Sequence, residues 1–160
     1  MFREKNYTIP VFVLSFIVCA LCSISIALAQ DEANDAKIIE RYKLMLSRKP
    51  KEGSTFDRLY QFYLEGDGLD AMVTDYQAEA AAKPDAPNIQ IILGHIYKRL
   101  GKDTEAINAY QRAVILSSKN YYPHLALGQI YTTLRRYKEA INALTQAAAL
   151  SEQTLSLIHI

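Results

Sequence analysis

Three histidines are the side chains in this sequence best suited to acid–base chemistry or metal binding near neutral pH. They are His95, His124 and His159. A metal site needs several histidine, cysteine or carboxylate ligands at a short, regular spacing, and none of the three histidines has such a neighbour. We therefore predict no metal site and interpret His124 as a packing residue.

Carboxylates between Glu65 and Asp75 are the other candidates for chemistry, because their oxygens could bind calcium. The stretch lacks both the Asp-x-Asp-x-Asp-Gly spacing and the distal glutamate of a calcium-binding loop. Gly66 and Gly68 instead predict a turn between two helices. The sequence also has no phosphate-binding glycine loop and no nucleophile elbow. We therefore predict no catalytic residues, no cofactor and no enzymatic activity.

The first 29 residues have the features of a secretory signal. Basic residues stand near the start, residues 9–29 carry no charge, and Ala27 and Ala29 provide the small side chains of a cleavage site. Residues 1–29 are therefore predicted to be a signal peptide that directs the protein to the periplasm or out of the cell. The alternative is that residues 9–29 remain as a membrane anchor, because about 20 apolar residues can span a bilayer.

Charge and cysteine content narrow the function classes further. The 160 residues carry a net charge of +1 and no long basic run, which argues against a nucleic-acid partner. Cys19 and Cys22, the two cysteines of the chain, both lie in the signal segment. The mature chain therefore has neither disulfides nor thiol chemistry, and its stability must come from packing.

A 34-residue pattern is written twice in succession, at residues 87–120 and 121–154, with 13 identities and no gap. A fixed period of this length indicates a stacked array whose unit is one helix pair. In the first unit, Pro87 predicts the start of a helix, Gly101 its end, and Asp103 the cap of a second helix. Small residues in both helices predict that the two backbones approach closely.

The sequence Leu93-Gly94, then Tyr97, then alanine, aromatic and alanine in the second helix resembles the tetratricopeptide repeat. This resemblance implies an all-α, right-handed solenoid of antiparallel helix pairs that binds peptides or proteins on its concave side. The units depart from the family pattern early in the first helix, where an aromatic residue is replaced by Gln90 or His124.

Weaker copies of the unit precede the two clear ones. Stepping back by 34 residues from Tyr110 gives Tyr76 and then Tyr42, and Pro84 and Pro50 both occupy the closing place of a weaker copy. We therefore divide the chain into a signal peptide, a polar leader with a half-repeat helix, one degenerate repeat, two repeats and a short end. The divisions are residues 1–29, 30–52, 53–86, 87–120, 121–154 and 155–160.

Charge is unevenly divided along this array. Residues 31–85 contain 12 acidic and 8 basic side chains, whereas residues 86–154 contain 4 acidic and 8 basic ones. Two interpretations stay open: a solvated surface whose charges happen to segregate, or later repeats that accept an acidic protein segment. A membrane contact is expected only through the N-terminal segment, if that segment is not cleaved.

The resemblance also implies which residues contact a ligand, namely the outward positions of each first helix. In this sequence they are Asn88, Ile91, His95, Lys98, Arg99, Tyr122, Leu125, Gln129, Thr132 and Thr133. This mixture of apolar, cationic and amide groups is typical of a peptide groove.

Together these features predict an exported scaffold that binds a protein or peptide. Two alternatives are the N-terminal recognition module of a larger exported protein or enzyme, and a membrane-anchored assembly factor. Residues 155–160 break the repeat and match one reading frame of the mosaic-end adapter used in transposase-based library preparation, so we interpret them as a sequencing scar. We expect the apolar face around Ile141 and Leu144 to be left without a covering neighbour.

Overall fold

The computed structural model describes the backbone of residues 34–158 and the side chains of residues 34–153. The predicted signal peptide lies outside these residues, as does His159, and of the predicted scar only the backbone of 155–158 is described. The chain divides into two compact units, Met1–Glu40 and Arg41–Ile160. The second unit contains every helix pair of the array.

The described residues form seven α-helices and no strand, which confirms the predicted all-α fold class. The helices are α1 at residues 34–48, α2 Ser54–Glu65, α3 Leu69–Ala82, α4 Pro87–Arg99, α5 Asp103–Leu116, α6 Tyr121–Thr133 and α7 Tyr137–Ile158. Each clear 34-residue unit is one helix pair, α4 with α5 and α6 with α7. None of the helices within the described range combines the length and the apolarity that a bilayer crossing requires.

The ends of α4 follow the predicted signals. Pro87 occupies the first turn, where its missing N–H is harmless, and Gly101 has a φ of 69°, the left-handed conformation that ends a helix. The predicted cap at Asp103 is wrong. The Lys102 carbonyl already accepts the amide N–H of Ala106 at 3.0 Å, so Asp103 lies inside the first turn, where its charge complements the helix dipole.

Gly94 makes room for a large side chain of the neighbouring helix rather than for its backbone. A Cβ at this position would lie 2.3 Å from Cε1 of Tyr110 on α5. At the equivalent place one repeat later, a Cβ on Gly128 would lie 2.5 Å from the side chain of Leu144. In each of these two helix pairs, a large side chain of the second helix therefore packs onto the backbone of a glycine in the first helix.

The degenerate repeat forms the helix pair α2 and α3. Its predicted turn is present, with Gly68 at a φ of 87° and its amide donating to the Tyr63 carbonyl at 2.7 Å. Phe56 and Leu59 of α2 and Met72 of α3 are fully buried.

The core of the later repeats runs from α4 to α7. Its buried members are Ile91, Ala106, Ile107, Tyr110, Ala113, Ala126, Leu127, Ile130, Tyr131, Ala140 and Ala143. The repeat tyrosines pack as predicted: Tyr63, Tyr76, Tyr110 and Tyr131 are buried, and Tyr42 and Tyr97 are half-buried. This rigid stack of helix pairs fixes the positions of α4 and α6, whose outward residues were predicted to bind a ligand.

Candidate protein-binding face

The ten predicted ligand positions lie on α4 and α6 and fall into three groups by exposure. The exposed residues are Arg99, Gln129, Thr132 and Thr133, the half-buried ones are Asn88, Lys98, Tyr122 and Leu125, and the buried ones are Ile91 and His95. The C-terminal half of α6 is therefore the open part of the face. Its two threonine hydroxyls donate to carbonyls of the same helix, at Gly128 and Gln129.

Ile91 and His95 do not line an open wall, and their prediction as surface positions is wrong. Ile91 is 0% exposed and His95 is 1% exposed. Ile91 belongs to the core of the later repeats. His95 is covered by residues 47–57, which comprise the end of α1, the linker to α2 and the first turn of α2. We call residues 47–57 the covering segment.

Both ring nitrogens of His95 have hydrogen-bond partners. Nε2 lies 3.2 Å from the carbonyl oxygen of Pro50, and Nδ1 lies 2.7 Å from the hydroxyl of Tyr110. A carbonyl can only accept, so Nε2 carries the proton and Nδ1 accepts from the Tyr110 hydroxyl. His95 thus connects the covering segment to α5 through α4.

Burial lowers the pKa of His95 to about 4. The Pro50 carbonyl and the charge of Glu52 oppose this effect, whereas Lys98 and Arg99 add to it. The imidazole is therefore neutral at pH 7. A neutral ring with both nitrogens in use acts as a structural bridge and has no nitrogen left for a ligand.

Glu52 of the covering segment binds the two cations of α4. Its carboxylate accepts from Lys98 Nζ at 2.7 Å and from Arg99 Nε at 3.2 Å. Burial by itself would raise the pKa of Glu52, but the hydrogen bond and the charge of Lys98 hold it below its usual value. The carboxylate is therefore ionised, and the cations predicted to meet a ligand are paired within the chain.

The covering segment also forms hydrogen bonds with α4 and α6, two of them through its backbone. The Glu52 amide N–H donates to the hydroxyl of Tyr122 at 2.8 Å, and Lys51 Nζ donates to the hydroxyl of Tyr121 at 3.3 Å. At the start of the segment, the side-chain amide of Asn88 donates to the Ser47 carbonyl at 2.6 Å. Donors and acceptors on α4 and α6 therefore bind this segment along its length.

The first turn of α2 completes the contact. Asp57 forms an ion pair with Arg99, whose guanidinium also lies 5.7 Å from the ring centroid of Phe56. The Phe56 ring meets the His95 ring edge to face at 5.5 Å. The C-terminal half of α4 thus contacts both the carboxylate of Glu52 and the aromatic ring of Phe56, four residues later in the sequence.

Sequence reasoning assigned the face to α4 and α6 and missed the residues that cover part of it. The linker between α1 and α2 has no periodic pattern, and its partners lie 45 to 70 residues away. The distribution of charge was the signal that could have indicated this contact. Glu52 and Asp57 belong to the acidic half of the array, and Lys98 and Arg99 belong to the basic half.

A second concavity of about 530 Å³ lies between α3, α4 and α5. Small residues such as Ala80 and Ala109 line it, together with Tyr97, Arg112 and the largely exposed Ile115. Among the described side chains, no group of three or more histidine, cysteine or carboxylate residues could hold a metal ion.

Two family models match the part of the chain that builds this face. Residues 94–134 match a model described as TPR repeat, and residues 124–157 match one described as tetratricopeptide repeat. Residues 94–157 are tetratricopeptide repeats. The resemblance read from Leu93, Gly94 and Tyr97 is therefore confirmed.

Solved structures share this tetratricopeptide fold. A MamA structure from Desulfovibrio magneticus RS-1 is 21% identical, covers 82% of this chain and 73% of its own, and superposes with a TM-score of 0.56. The MamA MSR-1 structure is 22% identical over 78% of this chain and 71% of its own, with a TM-score of 0.55. A chain of the CopN–Scc3 complex is 24% identical over 59% of this chain and 55% of its own, with a TM-score of 0.52. No curated protein matches the chain significantly.

Proposed function

We propose that the protein is an exported scaffold that binds a segment of a protein partner on the face formed by α4 and α6, and that it performs no chemistry of its own. One observation carries the proposal. Lys98, Arg99 and Tyr122 already bind the side chain and the backbone of a non-helical segment, as a peptide-binding surface does. The tetratricopeptide repeats and the likeness to a chain of a two-protein complex support the same class of function.

Export is the part of this proposal that rests on sequence alone. The charged start, the apolar residues 9–29 and the small residues at Ala27 and Ala29 support it. Mass spectrometry of the protein from the producing cells should show a new N-terminus at Gln30. A mature chain that still begins at Met1 would favour a scaffold anchored in the membrane by residues 9–29.

Binding at this face is tested by photo-crosslinking from the open part of α6. A photoreactive amino acid at Gln129 should trap a defined protein in the cells that naturally make the scaffold. Asn142 on α7, which is exposed but lies outside the face, provides the control position. The trapped protein should also bind the purified scaffold directly. Equal trapping from both positions, or none from Gln129, would contradict the proposal.

A further inference from the structure

We propose that the face of α4 and α6 is a receptor for a protein segment that presents carboxylates to Lys98 and Arg99, and that the covering segment occupies it in the isolated chain. A partner would bind by displacing residues 47–57 with a segment of similar chemistry. This inference rests on the proposed scaffold function, and it adds the chemical class of the partner and the state of the free protein.

The covering segment is bound in the manner of a peptide ligand. Glu52 uses three separate polar groups at once, since its two carboxylate oxygens meet Lys98 and Arg99 and its backbone N–H meets the hydroxyl of Tyr122. The carbonyl of Pro50 adds a fourth contact, with His95. Side chains of α4 and α6 thus bind both the charge and the backbone of an extended stretch, as a peptide-binding surface does.

These contacts are replaceable because they lie at the edge of solvent. The side chains of Lys98 and Glu52 keep 29% and 22% of their surface exposed, and the Arg99–Asp57 pair keeps 39% and 51%. Ion pairs of this exposure add little to stability. Opening the ion pairs alone costs little free energy, provided that a partner's carboxylates then neutralise Lys98 and Arg99. Releasing the buried Pro50 and Phe56 costs more and keeps the face covered most of the time.

The geometry also defines the segment that would compete. It presents a carboxylate at the place of Glu52 and an apolar or aromatic side chain four residues later, at the place of Phe56. The apolar side chain is required because Phe56 is fully buried, and its removal would otherwise leave a cavity beside His95. Charge complementarity requires carboxylates at the places of Glu52 and Asp57, which meet Lys98 and Arg99. It sets no overall charge, because residues 47–57 carry three basic and two acidic side chains.

Attachment within one chain gives the covering segment a high effective concentration. A free peptide of the same sequence therefore binds the wild-type protein weakly, because the face is open only for a small fraction of the time. Substitutions that weaken the contacts of the covering segment but leave the residues of α4 and α6 unchanged should raise the apparent affinity for such a peptide.

The test uses a fluorescent peptide of residues 47–57 and the purified protein, with binding followed by anisotropy. The double variant E52Q/D57N removes both carboxylates from the covering segment and should bind the peptide about tenfold more tightly than wild type. The control Glu79→Gln removes the Glu79–Lys83 ion pair, which lies outside the face, and should bind like wild type.

Two further changes identify the contact. Adding K98Q/R99Q to the double variant should weaken peptide binding about tenfold, back to the wild-type level or below. A peptide that itself carries Glu52→Gln and Asp57→Asn should likewise bind the open variant about tenfold more weakly than the peptide of native sequence. Equal binding of the peptides with and without these two carboxylates would overturn the proposal.

A folded E52Q/D57N variant that binds the peptide no more tightly than wild type would also overturn it. Should this variant not fold, Glu52→Asp keeps the charge and shortens the side chain, and it should tighten binding two- to threefold, whereas unchanged binding would count against the proposal. If peptide binding fails in all variants while a partner is still trapped from Gln129, the scaffold function stands and the assignment of a carboxylate-bearing segment is wrong.

Discussion

At the scale of single residues, the fold depends on positions where a large side chain fills the space beside a glycine. Gly94 and Tyr110 form such a pair on α4 and α5. The Tyr110 ring cannot move away easily, since it is fully buried and its hydroxyl donates to His95. The consequences of crowding this contact and of protonating His95 can both be measured as changes in stability.

Gly94→Ala should destabilise the protein by about 1–2 kcal/mol, because the cost of overpacking at a 2.3 Å contact exceeds the gain in helix propensity. Gly53→Ala is the matched control, since a Cβ there meets nothing within 4 Å and the backbone is extended. Urea unfolding of both variants checks the prediction. A Gly94→Ala protein as stable as wild type would show that the two helices are further apart than described.

Acid should destabilise the protein through His95. The pKa of His95 is about 4 when folded, against an ordinary value of 6.5, so the unfolded chain binds more protons between these values. Stability should therefore fall as the pH is lowered from 6.5 towards 4. His124, whose pKa burial also lowers, adds a smaller change of the same sign.

The variant His95→Gln separates these contributions, because glutamine is the residue at the equivalent position, Gln129, one repeat later. Urea midpoints at pH 7.5 and pH 5 should differ less for the variant than for wild type. Both chains keep His124, Glu52 and Asp75, so the difference between them reports His95. The same pH dependence in both proteins would mean that His95 is not buried in its neutral form.

At the scale of helices, the burial of equivalent positions in successive repeats shows which helix faces are covered by a neighbour and which are exposed. Ile107 and Ile141 are the same residue at equivalent positions of α5 and α7. Ile107 is 8% exposed because α6 and its neighbours cover it, whereas Ile141 is 67% exposed. Leu144 nearby is also partly exposed. The face of α7 that was expected to have no covering neighbour is therefore open in the described residues.

Ile107→Ala should cost about 2–4 kcal/mol of stability, since it empties a buried site. Ile141→Ala should change stability by less than about 0.5 kcal/mol, as substitutions at exposed positions usually do. Thermal or urea unfolding at low protein concentration tests the pair. A similar large loss for Ile141→Ala, growing with protein concentration, would indicate that this face is covered by another copy.

Repeat periodicity also explains which parts of the structure were predictable. The pattern around Leu93, Gly94 and Tyr97 occurs twice, so each packing position is specified by two independent stretches, and α4 to α7 follow from it. The linker before α2 has no periodic signal, and its contacts depend on how a degenerate repeat lies on α4. The burial of His95 by Pro50 therefore could not be derived, and the segregation of charge left open whether acidic residues would meet the basic half.

At the scale of the whole second unit, Arg41–Ile160, the acidic and basic halves of the array meet at the covered part of α4. The basic half supplies Lys98 and Arg99, and the acidic half supplies Glu52 and Asp57, which neutralise them in the isolated chain. For the proposed receptor, we expect this arrangement to make binding selective, because a competitor must also replace the backbone and ring contacts of the covering segment.

The most direct test of a covered binding face is the hydrogen exchange of the Glu52 backbone amide in the wild-type protein, measured by NMR. Its N–H donates to the Tyr122 hydroxyl, so it should be protected in the protein alone. A large excess of the peptide of residues 47–57 should remove this protection while the amide of the core residue Ile130 stays protected. A Glu52 amide that exchanges freely without peptide, or one whose protection survives saturating peptide, would contradict the claim that this segment covers a face for which partners compete.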